Sequence, residues 1–193
     1  MCIRDSIEAG TFMIAAAMTG GDLIVDNVIC EHITPVLTKL QEAGVYVERG
    51  ETFARVKGTD LIQPADIKTM PYPGFPTDMQ PQFMAFMSIS SGNASIITET
   101  VFENRFMHVN ELRRMGAKIK VCGRAAVVQG VRQRSGAKVK ATDLRAGAAL
   151  VLAGLAAKGE TEVVNLEHID RGYDSFVEKL NQLGADIKRV PME

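Results

Sequence analysis

The sequence predicts a closed α/β domain built from three copies of one structural unit. A helix that closes with Leu-x-x-x-Gly precedes a short alternating strand three times, at Gly44, Gly116 and Gly184. The segment Ala146–Ala157 is apolar nearly all round, which is typical of a helix buried between neighbours. Units of about 70 residues exceed the usual solenoid period of roughly 20–50, so we expect the three copies to close around their buried helices.

Each copy is predicted to contain a buried helix, a strand, an amphipathic helix and one or two further strands. In the first repeat, approximately residues 7–60, these elements are Ile7–Thr19, Leu23–Val28, Ile33–Ala43, Val45–Glu48 and Thr52–Lys57. In the second, approximately 77–130, they are a helix from Thr77, a strand Ile96–Thr100, a helix closing at Gly116, and strands Ala117–Val121 and Arg124–Gln129. In the third, approximately 138–190, they are Leu144–Ala157, Thr161–Asn165, a helix closing at Gly184, and a strand Ala185–Val190.

Composition narrows the classes of function. The 193 residues are 46% hydrophobic and 23% charged, with a formal net charge of −1, which is ordinary for a globular protein. We therefore expect neither nucleic acid nor an anionic membrane as a partner, and any anion site must use locally placed arginines. No apolar run reaches the roughly 18 residues of a membrane span. The opening segment Met1–Ser6 lacks the apolar core of a signal peptide.

The three cysteines, Cys2, Cys30 and Cys122, are isolated in the sequence. They have no CxxC spacing and no histidine cluster, so we expect no structural metal site. Isolated cysteines in odd number indicate reduced thiols in a cytosolic protein. Neither Cys30 nor Cys122 has an evident activating base nearby, so we do not expect a catalytic thiol in this chain.

A proline-rich segment, Gln63–Pro76, separates the first two repeats and is predicted to be a stiff connector. It leads into Thr77–Gln80, where Thr77 and a glutamine three residues later predict a capping box at the start of a helix. Asp78 then lies in the first turn, where the helix dipole favours a carboxylate. The third repeat has the same Thr-Asp pair at Thr142–Asp143, so both aspartates could serve only to stabilise helix N-termini.

Four sequence blocks and a shorter one carry a resemblance to a known family. They are Phe75–Gln80, Ile97–His108, Ala141–Arg145 and His168–Tyr173, together with Ile7–Phe12. With these residues, from Ile7 to about Val190, the chain resembles UDP-N-acetylglucosamine 1-carboxyvinyltransferases of the EPSP synthase superfamily. The resemblance implies an inside-out α/β barrel of three βαβαββ-type repeats. It also implies that the complete enzyme has two such domains with the active site between them, and that this chain corresponds to the C-terminal one.

The resemblance sets the expected domain limits. Residues 7–193 are expected to form a single enolpyruvyl transferase-like domain. Residues 1–6 depart from the family pattern, with Ser6 in place of an arginine, and are expected to be a non-native head. The family's N-terminal domain, with its mobile loop and catalytic cysteine, has no counterpart in this sequence. We therefore expect the chain alone to be inactive.

The resemblance also implies the reaction. The family transfers the enolpyruvyl group of phosphoenolpyruvate to the 3-hydroxyl of UDP-N-acetylglucosamine and releases phosphate, in the first committed step of peptidoglycan synthesis. The reaction takes place in the cytoplasm, uses no cofactor or metal, and links the enzyme to cell shape and cell division. Asp78 matches the proposed base, which accepts the hydroxyl proton.

Six further residues match family positions that contact substrate. Bidentate guanidinium groups suit the carboxylate and phosphate of phosphoenolpyruvate. The matching arginines are Arg105, Arg145 and Arg171, of which Arg171 is also expected to be catalytic. Val101 is expected to contact the UDP-sugar, with Thr77 and Phe102 as neighbouring substrate-binding residues. Packing alone would explain a Val-Phe pair equally well.

Two alternative functions stay open at the level of sequence. The first is a fragment of 3-phosphoshikimate 1-carboxyvinyltransferase, which shares the fold and the phosphoenolpyruvate chemistry. The second is a non-catalytic binding or self-associating module, since the surface that faces the missing domain would be exposed. The blocks Phe75–Gln80 and Ile97–His108 favour the UDP-sugar transferase.

Overall fold

A computed structural model describes residues 5–191 of the chain. The helices are α1 (Ser6–Thr19), α2 (Thr34–Glu42), α3 (Gln80–Met87), α4 (Val109–Arg114), α5 (Leu144–Leu155), α6 (Glu167–Asp170) and α7 (Phe176–Gln182). The strands are β1 (Asp22–Asp26), β2 (Tyr46–Arg49), β3 (Phe53–Lys57), β4 (Ile67–Lys68), β5 (Ser95–Thr98), β6 (Lys118–Cys122), β7 (Ala125–Gln129), β8 (Lys138–Lys140) and β9 (Glu162–Val164). Two 3₁₀ turns, Cys30–Ile33 and Thr77–Met79, precede α2 and α3.

Three helices form the centre of the molecule. α1, α3 and α5 pack against one another, one from each repeat. Every residue of α3 is buried, as are residues 9–18 of α1 and 146–153 of α5. These helices are rich in alanine and methionine and have no polar face, so they are stable only when neighbours cover them on all sides. The prediction of helices buried at the centre is confirmed.

The sheets lie outside these helices. The first repeat contributes β1-β3-β2, the second β4-β5-β7-β6 and the third β8-β9. β4 and β8 run parallel to β5 and β9, whereas the other pairs are antiparallel. The second repeat thus has the order β4-α3-β5-α4-β6-β7, which is the complete βαβαββ unit. Alternate residues turn inward, as Ala54 and Val56 of β3 do opposite Val25 and Leu23 of β1.

The predicted helix ends are confirmed by their glycines. Gly44, Gly116 and Gly184 have φ values of 85°, 90° and 96°, the left-handed region that a residue with a Cβ rarely adopts. Each lies just after an amphipathic helix, so a Gly at this position ends the helix and turns the chain toward the next segment.

The predicted strand Ala185–Val190 is wrong, because no strand forms there within the described residues. In the first two repeats the corresponding strand pairs with the one that follows it, β2 with β3 and β6 with β7. In the third repeat the Asn181 side chain instead bonds the backbone of Ile187, donating to its oxygen at 2.8 Å and accepting from its nitrogen at 3.1 Å.

The connector Gln63–Pro76 contains a strand that the sequence did not predict. β4 pairs with β5, and the Thr69 amide then donates to the Thr98 oxygen at 2.9 Å. The Met70 amide donates to the Phe75 oxygen at 3.0 Å, which closes the proline-rich turn. The approach to Asp78 is therefore held by backbone hydrogen bonds as well as by prolines.

The start of the chain bears on the predicted head, residues 1–6. Residues 1–4 lie outside the described residues. Asp5 caps α1 by accepting the Glu8 amide at 2.7 Å, and Ser6 is the first helical residue. The division into a head and a single domain from residue 7 stays a prediction. Among residues 5–191, no helix is long and apolar enough to cross a membrane.

Arg134 is a buried cation without a partner in the described part of the chain. Its side chain is 0% exposed, and its three guanidinium nitrogens have no hydrogen-bond partner there. Burial lowers the pKa of Arg134 to about 10. An unpaired charge removed from water destabilises the folded state, so this residue reduces the stability of the domain.

We expect Arg134→Met to raise the free energy of unfolding by about 1–4 kcal/mol, because it removes an uncompensated charge and keeps an unbranched apolar chain. Urea denaturation measures the change. The matched control is Arg132→Met, since Arg132 is exposed; it should change stability by less than about 0.5 kcal/mol. A loss of stability in Arg134→Met alone would show that the guanidinium makes a stabilising interaction.

Candidate active site

Asp78 lies in the 3₁₀ turn that leads into α3, and its carboxylate joins two arginines. Arg105 Nη2 donates to Asp78 Oδ1 at 2.8 Å, and Arg145 Nη2 donates to Asp78 Oδ2 at 3.2 Å. Both guanidinium groups are largely buried, with 19% and 17% of their side chains exposed. Charge-assisted bonds of this kind are stronger when solvent is excluded. Three of the predicted site residues, from two repeats, therefore form one cluster.

Asp143 shows what a capping aspartate looks like in this fold. Its Oδ1 atom accepts the backbone amides of Arg145 and Ala146, each at 2.9 Å, which caps α5. Within the described residues, no backbone amide of the 3₁₀ turn or of α3 donates to Asp78. Capping therefore accounts for Asp143 and does not account for Asp78, although both follow a threonine.

The predicted capping box at Thr77 and Gln80 is wrong. The Thr77 hydroxyl donates to Glu99 Oε2 at 2.9 Å instead of bonding the helix. The Gln80 side chain is fully buried, and its amide atoms have no hydrogen-bond partner among residues 5–191. A cap would need the Thr77 hydroxyl oxygen to accept a backbone amide, but the Gln80 amide donates to the Thr77 backbone oxygen, in the 3₁₀ turn that delays the α-helix to Gln80.

Glu99 is a site residue that the sequence analysis missed. Its Oε1 atom accepts the Thr69 hydroxyl at 2.7 Å and the amides of Val101 and Phe102 at 2.8 and 3.1 Å. The residue is 1% exposed. Burial raises the pKa of Glu99, but the hydrogen bonds from Thr69, Phe102, Val101 and Thr77 outweigh it and hold the pKa below its ordinary value. An acidic residue between two threonines at the end of a buried strand is the signal that could have identified it.

The Glu99 bonds orient the backbone of Val101 and Phe102 and leave their side chains toward solvent. Val101 is 40% exposed and Phe102 is 48% exposed. The Arg105 guanidinium carbon lies 5.0 Å from the centre of the Phe102 ring. The two apolar side chains and Arg105 thus share one surface, where they are available to a ligand.

Arg145 is also held by Tyr173, which the sequence analysis did not single out. Arg145 Nη1 donates to the Tyr173 hydroxyl at 3.4 Å, and its guanidinium carbon lies 5.7 Å from the ring centre. Burial lowers the pKa of Arg145, but the neighbouring Tyr173 oxygen and the Asp78 carboxylate raise it above its ordinary value. Arg145 therefore stays charged.

The Arg171 side chain makes no hydrogen bond or ion pair with Asp78, Arg105 or Arg145. Arg171 is exposed at the end of α6, and its side chain makes no hydrogen bond or ion pair with another described residue. Its neighbour Asp170 pairs with Arg189 instead. The geometry therefore joins Asp78 to Arg105 and Arg145, but not to Arg171, the other residue predicted to be catalytic.

Two cavities lie near the sheets. A cavity of about 250 Å³ is lined by Glu99, Phe102 and Arg105 and belongs to the Asp78 side of the molecule. A larger one, about 540 Å³, lies between α2 and the β4–β5 pair and contains none of the predicted site residues. The smaller cavity is the relevant one because two predicted site residues, Phe102 and Arg105, line it. Cys30 and Cys122 are unpaired thiols, and no acidic, histidine or cysteine cluster within residues 5–191 could hold a metal ion.

The fold agrees with comparisons against known families. The family model described as EPSP synthase (3-phosphoshikimate 1-carboxyvinyltransferase) matches residues 1–180. The chain belongs to this family of enolpyruvyl transferases. Among its curated relatives is UDP-N-acetylglucosamine 1-carboxyvinyltransferase from Desulfofundulus thermocisternus, which is 58% identical over 191 residues. That match covers 99% of this chain and 78% of the relative.

Other curated relatives are longer than this chain. UDP-N-acetylglucosamine 1-carboxyvinyltransferase 1 from Caldanaerobacter subterraneus is 59% identical over 97% of the chain, which spans 45% of that relative. The enzyme of the same name from Halalkalibacterium halodurans is 58% identical, and the chain spans 42% of it. The chain thus covers less than half the length of these two relatives.

Solved structures support the predicted inside-out barrel. The enolpyruvyl transferase NikO from Streptomyces tendae matches 96% of the chain with a TM-score of 0.85 and 31% identity, over 44% of its own length. EPSP synthase from Acinetobacter baumannii matches 95% of the chain with a TM-score of 0.76 at 19% identity, over 46% of its own length. The latter likeness concerns the fold alone. The predicted fold class is confirmed.

We expect Glu99→Gln to lower the free energy of unfolding at pH 7 by about 1–3 kcal/mol, because a neutral amide leaves buried donors without an acceptor. The folded-state pKa of Glu99 lies below its ordinary value of 4.5, so the charged form stabilises the fold above that pH. This contribution is lost as the pH falls through the lower, folded-state pKa.

The stability difference between Glu99→Gln and the unsubstituted chain should therefore shrink below pH 4.5 when measured by urea denaturation over a pH series. Glu51→Gln, at an exposed position, is the matched control and should show no such difference at any pH. A constant difference down to the lowest pH would contradict the role given to the Glu99 charge.

Proposed function

We propose that this chain provides one half of the active site of a UDP-N-acetylglucosamine 1-carboxyvinyltransferase. In this reaction the enolpyruvyl group of phosphoenolpyruvate moves to the 3-hydroxyl of UDP-N-acetylglucosamine, and phosphate is released. The proposal rests on one observation: the Asp78 carboxylate does not cap the helix and instead accepts hydrogen bonds from Arg105 and Arg145. The names of the curated relatives support the choice of substrates.

Asp78 acts as the general base in this proposal. As the sugar hydroxyl attacks C2 of the enol, the oxygen–C2 bond forms and the hydroxyl proton passes to the carboxylate. A general acid, which this proposal assigns to the second domain, donates a proton to C3 in the same addition and gives a tetrahedral adduct. Loss of phosphate from C2 and of a proton from C3 then restores the double bond. Asp78 is 39% exposed, so a bound hydroxyl can reach it.

The arginines bind the anionic groups of phosphoenolpyruvate. Arg105 and Arg145 already bond a carboxylate, Asp78, with geometry suited to an anion. The Arg171 side chain has no partner among the described residues and is an exposed cation that a third anionic oxygen could engage. The exposed Val101 and Phe102 side chains offer an apolar surface to the UDP-sugar.

The rest of the active site comes from a second domain in this proposal. The longer curated relatives, of which this chain spans 42–45%, motivate that inference. The complete protein would act in the cytoplasm, in the first committed step of peptidoglycan synthesis, and so contribute to cell shape and division. The chain alone should not turn over phosphoenolpyruvate.

The proposal is tested by fusing this chain to the part of the Caldanaerobacter relative that lies outside the matched region. We expect phosphate release that depends on UDP-N-acetylglucosamine from the fusion and none from the chain alone. In the fusion, Asp78→Asn should lower kcat by about 10²–10⁴-fold, because the amide cannot accept the proton. Asp143→Asn is the matched control, since asparagine caps a helix as well as aspartate does. Equal losses in both variants would refute the assignment of Asp78 as base.

Ligand binding separates this function from the 3-phosphoshikimate alternative. We expect isothermal titration of the fusion to show saturable binding of UDP-N-acetylglucosamine and none of shikimate 3-phosphate. The exposed Val101–Phe102 surface gives the reason, because it suits a larger, partly apolar ligand. Binding of shikimate 3-phosphate alone would overturn the choice of substrate.

A further inference from the structure

A buried chain of hydrogen bonds connects the centre of the barrel to Arg145. We propose that Tyr173 is a positioning residue that fixes the Arg145 guanidinium toward Asp78 by anchoring it to the backbone of α1. The role it serves in substrate binding rests on the proposed function, but the anchoring itself does not.

The Tyr173 hydroxyl lies where three repeats meet. It is 2.9 Å from Thr11 Oγ1 in α1, 3.4 Å from Gln82 Nε2 in α3 and 3.4 Å from Arg145 Nη1 in α5. Tyr173 is 3% exposed, and Thr11 and Gln82 are fully buried. Water therefore does not compete for the bonds to Thr11 and Gln82, and the geometry of the network depends on the packing of the three helices.

The direction of each hydrogen bond follows from the number of protons available. We assign the Thr11 proton to the Ile7 oxygen, which lies 2.8 Å from Thr11 Oγ1, so that Oγ1 accepts from other groups, including Gln82 Nε2 at 3.1 Å. In this assignment the Tyr173 hydroxyl donates to Thr11, and the Tyr173 oxygen accepts from Arg145 and Gln82. Donation thus runs in one direction, from Arg145 through Tyr173 and Thr11 to the α1 backbone.

This arrangement fixes the two ends of the Arg145 guanidinium separately. Nη1 is held by Tyr173, while Nη2 bonds Asp78. A planar group held at one nitrogen has little freedom to rotate, so the other nitrogen keeps its direction toward the site. Burial raises the pKa of Tyr173, in keeping with a phenol that stays neutral and keeps its proton for Thr11.

The hydroxyl can be separated from the packing role of the ring. The Tyr173 ring centre lies 4.7 Å from that of Phe176, and this contact does not involve the oxygen. Tyr173→Phe keeps the ring in the core and removes only the hydrogen bonds. It is therefore a mild change by which positioning can be distinguished from folding.

The first test measures the guanidinium directly in the 193-residue chain. We expect side-chain ¹⁵N relaxation to show an Arg145 guanidinium that is restricted in the unsubstituted chain and mobile in Tyr173→Phe. Tyr46→Phe, at a tyrosine that is 55% exposed, is the matched control and should leave Arg145 restricted. Equal mobility of Arg145 in all three proteins would overturn the proposal. No substrate is needed, so this test is independent of the proposed function.

The second test interrupts the chain of bonds at its other end. Thr11→Val removes the acceptor for Tyr173 at nearly constant volume, whereas Thr11→Ser retains it. We expect Thr11→Val to mobilise the Arg145 guanidinium as Tyr173→Phe does, and Thr11→Ser to leave it restricted. Mobilisation by Thr11→Ser as well would indicate a packing effect and refute the directional chain.

The third test asks whether positioning matters for the substrate. In the fusion described above, Tyr173→Phe should raise KM for phosphoenolpyruvate about tenfold, with a smaller effect on kcat, as expected for one lost bond to a charged group. Adding it to Arg145→Lys should have little further effect, because both changes act through one guanidinium. Additive losses would overturn the link to Arg145. An inactive unsubstituted fusion would instead refute the proposed function and leave the relaxation result standing.

Discussion

The close contact of three buried helices is the constraint on which the rest of the molecule depends. α1, α3 and α5 approach each other over residues too small to keep them apart. A Cβ atom on Gly10 of α1 would lie 2.9 Å from Met79 Cε in the turn that leads into α3, and one on Gly147 of α5 would lie 2.6 Å from Ile169 Cγ1 of the adjoining α6. Because each helix comes from a different repeat, this contact places side chains that are distant in sequence around one point. The polar network of Thr11, Gln82 and Tyr173 lies there, and the Asp78 cluster adjoins it.

Repetition of a sequence motif does not impose repetition of its role. The two Thr-Asp pairs enter helices of similar kind, yet Asp143 caps its helix and Asp78 bonds arginines. The difference originates next to Asp78, where Thr77 is bound to Glu99 and a 3₁₀ turn takes the place of the first helical turn. Glu99 therefore influences Asp78 indirectly, by holding the neighbouring Thr77 in place. Contacts outside the motif therefore give the two aspartates different roles.

The sequence predicted what depends on local pattern. Three repeats, buried helices and glycine-terminated helix ends follow from composition and period, and resemblance identified Asp78, Arg105 and Arg145, which the structure then brings together. Partners chosen across the fold could not be predicted in this way: Thr11 and Tyr173 are separated by 162 residues, and Thr77 and Glu99 by 22. The strand predicted at 185–190 does not form, for a related reason. An alternating pattern of apolar and polar residues indicates which face of a strand would be buried, but it does not supply a neighbouring strand to pair with.

The two ion pairs of Asp78 have a consequence for selectivity. An anion that engages the Nη2 atoms of Arg105 and Arg145 must displace the Asp78 carboxylate already bonded to them, so part of its binding free energy is used in separating those pairs. We infer that weakly interacting anions such as chloride cannot occupy the site, because they bond guanidinium groups too weakly to compete. A ligand with several strongly basic oxygens can compete with the carboxylate for these guanidinium groups. Once displaced, the carboxylate has lost two hydrogen-bond donors and is free to accept a hydrogen bond from a second ligand group.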